Sequence, residues 1–394
     1  MSGRDLNIQV KVLHVIKTLG LGGAETNLLN LVRSLDSAKV QCHVGYSGSG
    51  QLREQFRSSG SALTQYAQDE HRIKSLTTFG IVRRLVRYIR QHQIDIVHTH
   101  NFSAHVWGLL AARITQTPVI EHVHDQRYTP RTELIRGFGS IAQYRYARFF
   151  RNQADRVVVL TRRSAEDVIR QRMAAPERVV VLRNGIPLAD RSTKGRGTIR
   201  QELRISSKAI VILTCARIEP AKNIQLILRI APAVKRAVPS LVFVIAGSGS
   251  HLEAYRHQCR TEGLESLVRL VGYRADIESL MAASEIFLLP SFLELHSIAV
   301  LEALRMQLPV VISSQVGCND EMIKSGWNGY LCDPYEDHQW VKTLTDLANS
   351  AESRGRVGRN GQATCHNQFD IRSTAAQFEE LYLQLVLGVE RIKS

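Results

Sequence analysis

The chain has 394 residues, 44% of them hydrophobic and 22% charged, the balance of an ordinary globular protein. Such a length sets a prior of about two or three domains, each able to bury a core. A net charge of +15 predicts anionic partners, without choosing among nucleotides, nucleic acid and acidic lipid.

No stretch reaches the roughly 18 uninterrupted apolar residues of a membrane span. The first ten residues lack an apolar signal core. The six cysteines, Cys42, Cys215, Cys259, Cys318, Cys332 and Cys365, include no close pair of metal-ligand spacing. They read as reduced thiols of a cytosolic protein.

In chain order, short apolar runs alternate with longer amphipathic ones. Residues 10–16 predict a strand, Gly20-Leu21-Gly22-Gly23 a turn, and 24–35 a helix with Leu28, Leu29, Leu31, Val32 and Leu35 inward. Further strands are expected at 41–45, 94–99, 119–124, 156–160 and 179–183, and helices at 76–91, 104–114, 132–152 and 164–173. Near-continuous apolar strands alternating with helices imply a parallel sheet covered on both faces. Residues 187–200 are polar, glycine-bearing and without periodicity, and read as a linker.

Alternation then restarts. Strands are expected at 209–216, 241–246, 268–271, 286–289 and 310–313, and helices at 223–238, 251–262, 277–283 and 297–305. The tail, 371–392, is a long amphipathic pattern with Phe378, Leu381, Leu383, Leu385 and Val386. Two doubly wound units would form a cleft where they face each other.

The tightest chemical constraint lies at the strand ends of the second half. Arg217 and Lys222 follow the strand over 209–216, and Glu294 and Glu302 bracket the start of the helix over 297–305. Two cations five apart and two carboxylates eight apart suit a ligand with a central diphosphate and hydroxyls at both ends, as in a nucleotide-sugar. A solvated basic turn is the plainer reading of Arg217 and Lys222 by themselves. The carboxylates decide against it. Glu302 sits on a helix that is apolar nearly all round, where an unpaired carboxylate is seldom carried. Ser297 fits an N-cap, and the amides that follow it would face phosphate oxygens.

With these residues on the page, the chain resembles the family-4 retaining glycosyltransferases, of GT-B fold. The matching pieces are Gly20-Leu21-Gly22-Gly23-Ala24-Glu25, Asp95-Ile96-Val97-His98-Thr99-His100, the stretch 119–125, Asn184-Gly185-Ile186, Arg217 with Lys222, Ala246-Gly247-Ser248-Gly249, Val271-Gly272-Tyr273-Arg274, and Glu294 with Glu302. Their order along nearly the whole chain is specific where one piece would be weak.

The resemblance implies an α/β fold of two Rossmann-like parallel-sheet domains across a cleft. These are an acceptor-binding domain over 1–188, a linker over 189–200, a nucleotide-sugar domain over 201–368, and a helix over 369–394 packing back toward the first domain. It further implies that Arg217 and Lys222 hold the donor diphosphate, that Glu302 accepts from the ribose, and that Glu294 contacts sugar hydroxyls. Tyr273 and Arg274 would lie against the base through backbone atoms. Gly247, His296, Ser297 and Ile298 would line the donor site, and Gly22 and Gly23 would let a loop approach phosphate or acceptor as only glycine permits. His124 matches the family's active-site histidine, with His98, His100 and His122 close by. The two histidine pairs alternate along strands and no Asp-x-Asp element is present, so no metal is required. The resemblance also implies a nucleotide-sugar donor, a UDP- or GDP-sugar, and no other cofactor, with the base itself left open. One departure stands out: Leu295-His296-Ser297 replaces the family's glycine-bearing loop, which leaves donor-sugar identity open.

Two basic stretches remain. Arg72, Lys74, Arg83, Arg84, Arg87 and Arg90 form one, and Arg127 to Arg163, with Phe138, Phe149 and Phe150 interleaved, the other. They read as a solvated face or as a patch for an acidic membrane at its cytosolic side. Nucleic-acid motifs are lacking. The expectation is a retaining, metal-independent glycosyltransferase acting on a glycan or lipid-linked hydroxyl. The alternatives are a two-domain nucleotide-dependent dehydrogenase, disfavoured by the lack of a Gly-x-Gly-x-x-Gly turn, and a non-catalytic nucleotide-sugar binder.

Overall fold

The computed structural model describes residues 8–68, 75–124, 145, 148–189 and 194–388. They fall into two compact units, Met1–Pro187 with Ile371–Ser394, and Leu188–Asp370.

The first unit runs β1 (Val10–Ile16), α1 (Gly23–Ser34), β2 (Val40–Ser47), α2 (Arg53–Ser58), β3 (Ala62–Ala67), α3 (Ser75–His92), β4 (Ile96–His100), α4 (Phe102–Thr115), β5 (Val119–His122), β6 (Arg156–Val159), α5 (Arg162–Arg170) and β7 (Val179–Val181). All seven strands are parallel, in the order β3-β2-β1-β4-β5-β6-β7. The order reverses between β1 and β4, which is where ligands sit in doubly wound sheets. The inner strands are valine- and isoleucine-rich and buried on both faces, as a parallel sheet demands.

The second unit repeats the plan. It comprises α6 (Arg196–Glu202), β8 (Ile210–Cys215), α7 (Ile224–Ala237), β9 (Leu241–Ala246), α8 (Leu252–Thr261), β10 (Val268–Gly272), α9 (Ile277–Ala282), β11 (Ile286–Leu289), α10 (Ile298–Arg305), β12 (Val310–Ser313), α11 (Asn319–Met322), β13 (Tyr330–Cys332), α12 (Asp337–Asn349) and α13 (Ala351–Gln368). Its parallel sheet is ordered β10-β9-β8-β11-β12-β13, so the reversal falls between β8 and β11.

The last helix, α14 (Ile371–Leu387), belongs to the first unit. Glu379 accepts from the Asp36 amide at 2.8 Å and from Lys39 Nζ at 3.1 Å. A Cβ on Gly185 would lie 2.6 Å from the Ile371 Cα, so glycine permits this close approach. The buried face is Phe378, Leu381 and Tyr382, whereas Leu383 and Val386 are exposed. The sequence counts all of these but Tyr382 in one amphipathic pattern. Helical periodicity turns Leu383 well away from Phe378, and Val386 lies at the border of the buried face.

Other differences have local causes. The linker read over 187–200 ends in a helix, α6, whose Ile199 and Arg200 are buried. Arg200 Nη2 bonds Glu285 at 2.8 and 2.9 Å, so tertiary anchoring rather than propensity holds this glycine-flanked helix. The helix α13 was missed because it carries Gly355, Gly358 and Gly361, poor helix formers in isolation. A Cβ on Gly358 would sit 2.1 Å from the Gln307 carbonyl oxygen, so the packing demands what the propensity disfavours. The edge strands β3 and β13 and the short α2 lack an apolar run. The helix predicted over 132–152 lies mostly outside the described residues, which are helical at 148–151. Among the described residues no helix is long and apolar enough to cross a membrane. All six cysteines are free and buried.

Candidate active site

The second unit gathers the predicted donor residues where its strand order reverses. Arg217 follows β8 and is exposed. The chain then makes a one-turn 3-10 segment, Pro220–Lys222, and Asn223 takes a left-handed conformation, φ 52°, to enter α7. This turn aims Lys222 at the loop after β11, and its Nζ stands 2.5 Å from Glu294 Oε1. Ser291 Oγ donates to the same oxygen at 2.9 Å. Glu302, half-buried on α10, is near enough to Cys215, the last residue of β8, to add to the effect of burial in raising that thiol's pKa. Lys222 and Glu294 thus touch, and Glu302 reaches the strand end that Arg217 follows.

Backbone packing holds this arrangement. Gly247, after β9, has φ 153°, and a Cβ there would lie 1.8 Å from the Ala216 carbonyl oxygen. Gly317 was not foreseen. Its φ is 56°, and a Cβ would lie 2.1 Å from the Glu294 carbonyl oxygen. The next residue, Cys318, donates from its amide and its Sγ to the Leu295 oxygen, at 3.2 and 2.6 Å. Gly317 therefore fixes the loop that carries Glu294. Gly317→Ala is expected to cost about 1–3 kcal/mol through overpacking and left-handed strain, read as a lowered melting temperature together with a raised KM for donor. An unchanged melt and KM would refute it. Ser291 and Gly317 both escaped sequence reasoning. Serine and glycine are too common in loops to signal a site.

The structure adds detail at three further donor-site residues. The Arg274 guanidinium bonds both Asp276 oxygens at 2.7 Å and pairs with Glu202, so its side chain is committed within the unit. Those bonds raise its pKa. Only its backbone is left for a base, whereas the neighbouring Tyr273 ring is 50% exposed. His296 is buried with its ring edge-on to Phe369 at 5.2 Å. Ser297 occupies the N-cap position of α10 with an extended backbone, and its side chain makes no capping bond. Ile298 is buried at the first helical position.

In the first unit the four nearby histidines prove to be one assembly with a fifth. In-register pairing sets His14 on β1 against His98 on β4, and His100 against His122 on β5. His14 Nδ1 and His100 Nε2 are 3.1 Å apart, and His100 Nδ1 and His124 Nε2 are 3.0 Å apart. His98 Nδ1 meets the Tyr382 hydroxyl at 2.8 Å. Burial, and then neighbouring imidazoles, lowers the pKa of His98, His100 and His122, and burial lowers that of His124. All are neutral near pH 7. His124, past the end of β5, is the half-buried member.

Gly22 is the N-cap residue of α1 with φ −110°. A Cβ on it would meet only the flexible end of Glu25, and one on Gly23 would meet nothing within 4 Å. The chain's own packing does not require glycine at either place, which leaves room there for the approach of a ligand.

Two doubly wound parallel sheets, with Lys222 and Glu294 in contact where the second strand order reverses, match the architecture of sugar transferases of GT-B type. The family model described as Glycosyltransferase Family 4 matches residues 21–190, and that described as Glycosyl transferases group 1 matches 195–364. The chain belongs to this group 1 and family-4 class of glycosyltransferases. It is 24% identical to the UDP-Gal:alpha-D-GlcNAc-diphosphoundecaprenol alpha-1,3-galactosyltransferase of Escherichia coli, over 98% of this chain and 100% of that one. It is 26% identical to a D-inositol 3-phosphate glycosyltransferase of Corynebacterium glutamicum, over 76% of this chain and 74% of that one. The crystal structure of Anabaena HepE in complex with UDP and glucose superposes with a TM-score of 0.82 at 22% identity, over 95% and 99% of the two chains. Sucrose-phosphate synthase of Thermosynechococcus elongatus gives 0.78 at 16% identity, over 97% and 100%. Membership sets aside the dehydrogenase alternative.

Proposed function

We propose that the protein is a retaining glycosyltransferase that moves a sugar from a UDP- or GDP-sugar to a hydroxyl of a glycan or lipid-linked acceptor, without a metal. The observation that carries this reading is the Lys222–Glu294 contact at 2.5 Å beside the ends of β8 and β11. It sets an ammonium for diphosphate next to a carboxylate for sugar hydroxyls. UDP with glucose in HepE, and the UDP-Gal and diphosphoundecaprenol in the Escherichia coli relative's name, support the donor and acceptor classes.

In this reading Arg217 and Lys222 neutralise the diphosphate, the charge a divalent cation would otherwise supply. Glu302 accepts from the ribose, Glu294 from the sugar, and the free amides at the start of α10 face phosphate. His124 contacts the donor sugar. Reaction is on one face of the anomeric carbon. Its bond to the diphosphate oxygen breaks as the bond to the acceptor oxygen forms, and the acceptor proton passes to the departing diphosphate. The cations stabilise the charge developing there.

The test is transfer and slow donor hydrolysis by purified protein over a panel of UDP- and GDP-sugars, with and without EDTA. Product of retained anomeric configuration, formed at an undiminished rate in EDTA, is expected. Inverted product or EDTA sensitivity would overturn the mechanism, and binding of every donor without turnover would leave a mere binder.

We further propose that the first unit works at the cytosolic face of an acidic membrane. On α3, Arg83, Arg84, Arg87 and Arg90 are exposed and Phe79 is 72% exposed, and Ile114 on α4 is 54% exposed. Cations with protruding apolar side chains suit anionic headgroups. Pelleting with acidic liposomes at physiological salt, lost in Arg83→Glu/Arg87→Glu, is expected; equal recovery with neutral vesicles would remove the idea.

A further inference from the structure

The histidine assembly carries more than one active-site imidazole explains. His122 is 1% exposed, yet neither of its ring nitrogens has a hydrogen-bond partner among the described residues. An unpaired buried polar group costs about 1–3 kcal/mol, and here both ends of one ring are left so. Ring stacking does not relieve this: His98 lies parallel to it at 5.4 Å, and Phe378 flanks it at 5.5 Å.

We propose that His100, His122 and His124 form a binding site for one divalent ion of the zinc class, with an open fourth position. One ligand nitrogen from each lies within 4.8 Å of the others. A tetrahedral ion with bonds of about 2.0–2.1 Å sets its nitrogens roughly 3.3–3.4 Å apart. His100 Nδ1 and His124 Nε2, at 3.0 Å, need to part by only a few tenths. An ion would give His122 the partner it lacks. The other nitrogen of His100 faces His14 Nδ1 at 3.1 Å. With Nδ1 on the metal, Nε2–H donates to His14, the outer-layer bond that fixes a ligand's tautomer.

The donor set chooses the ion. Three imidazoles, with no carboxylate among the described residues of the group, favour zinc, copper, nickel or cobalt over magnesium or calcium. The place within the assembly is also chosen. His14, His98 and His100 form a second trio within the same spacing. All three are sealed, however, with His98 Nδ1 held by Tyr382 and His14 Nδ1 by His100. The outer trio has the half-buried His124 as its way in.

The test strips full-length protein with EDTA and titrates it with Co²⁺, following visible d–d absorption, and then displaces the cobalt with Zn²⁺. One equivalent of each is expected, with magnesium inert. His122→Phe and, independently, His124→Gln should weaken binding at least tenfold. His338→Ala, at an exposed histidine (side chain 76% exposed), should bind as the parent does. No stoichiometric cobalt band overturns the proposal. So does parent-like binding by both ligand variants, or loss confined to His98→Phe, which would put the ion in the deeper trio. Zinc saturation should also slow sugar transfer, because it takes the lone pair of His124. That last readout alone rests on the function proposed above. If transfer were unaffected while the cobalt band behaved as described, the role given to His124 would fall and the site would stand.

Discussion

Lys222→Ala is expected to lower turnover by roughly two to three decades, the loss seen when a single transition-state donor is removed. The Lys222 ammonium is held by Glu294 at 2.5 Å. The pair is mostly buried, with 17% of the Lys222 and 11% of the Glu294 side chain exposed, so the ammonium needs an anionic partner throughout. When the donor's diphosphate enters, the cation exchanges one anionic partner for another. Its effect grows as the bond to the sugar breaks and charge collects on the leaving oxygen. The loss should therefore appear mainly in kcat, with a smaller change in donor KM. Lys222→Arg should recover little, because the planar fork replaces a compact charge on a flexible stem. Glu294→Gln should couple with Lys222→Ala, so that the double variant loses less than the two singles added. Steady-state transfer rates decide it. A Lys222→Ala enzyme within threefold of the parent would refute the diphosphate role.

The reach of the sequence follows from how each feature is encoded. The inner strands were read to within one or two residues because a parallel sheet buries both faces, and its apolar runs need no partner to be recognised. Arg217, Lys222, Glu294 and Glu302 were legible because charged groups at strand ends beside apolar runs are conspicuous. What stayed hidden depends on partners far along the chain. Gly358 reads as a helix breaker until the Gln307 carbonyl is found against it, and Gly317 as a loop filler until Glu294 is found above it. The histidines were visible singly and in pairs along two strands. Their union with His14 needed the register of β1 on β4, which no local pattern specifies. Arg151 was counted with a basic, solvent-facing stretch. Its partner is Glu121, on a strand thirty residues earlier.

Arg151 therefore supplies the largest expected stability effect. It is 2% exposed, and its Nε and Nη2 bond the two oxygens of Glu121 at 2.8 and 3.0 Å, while Nη1 rests on the Met173 sulfur at 3.0 Å. Burial pushes the Glu121 pKa up. The charge of Arg151, with His105 at 3.8 Å, outweighs that and holds it below its ordinary value of 4.5. Removing the cation strands a carboxylate inside β5, so Arg151→Ala should lose about 3–5 kcal/mol in urea unfolding. Replacing both partners by apolar groups of similar size, Glu121→Leu with Arg151→Met, should recover most of that, because neither charge is then left unpaired. The sign with pH follows from the depressed pKa. The pair stabilises fully above the unfolded carboxyl's pKa, and its contribution is lost as pH falls below about 4.5 toward the folded value. The difference between parent and double variant should therefore narrow on acidification. A loss under about 1 kcal/mol in Arg151→Ala at pH 7 would show that the pair does not hold β5 to the helical turn at 148–151.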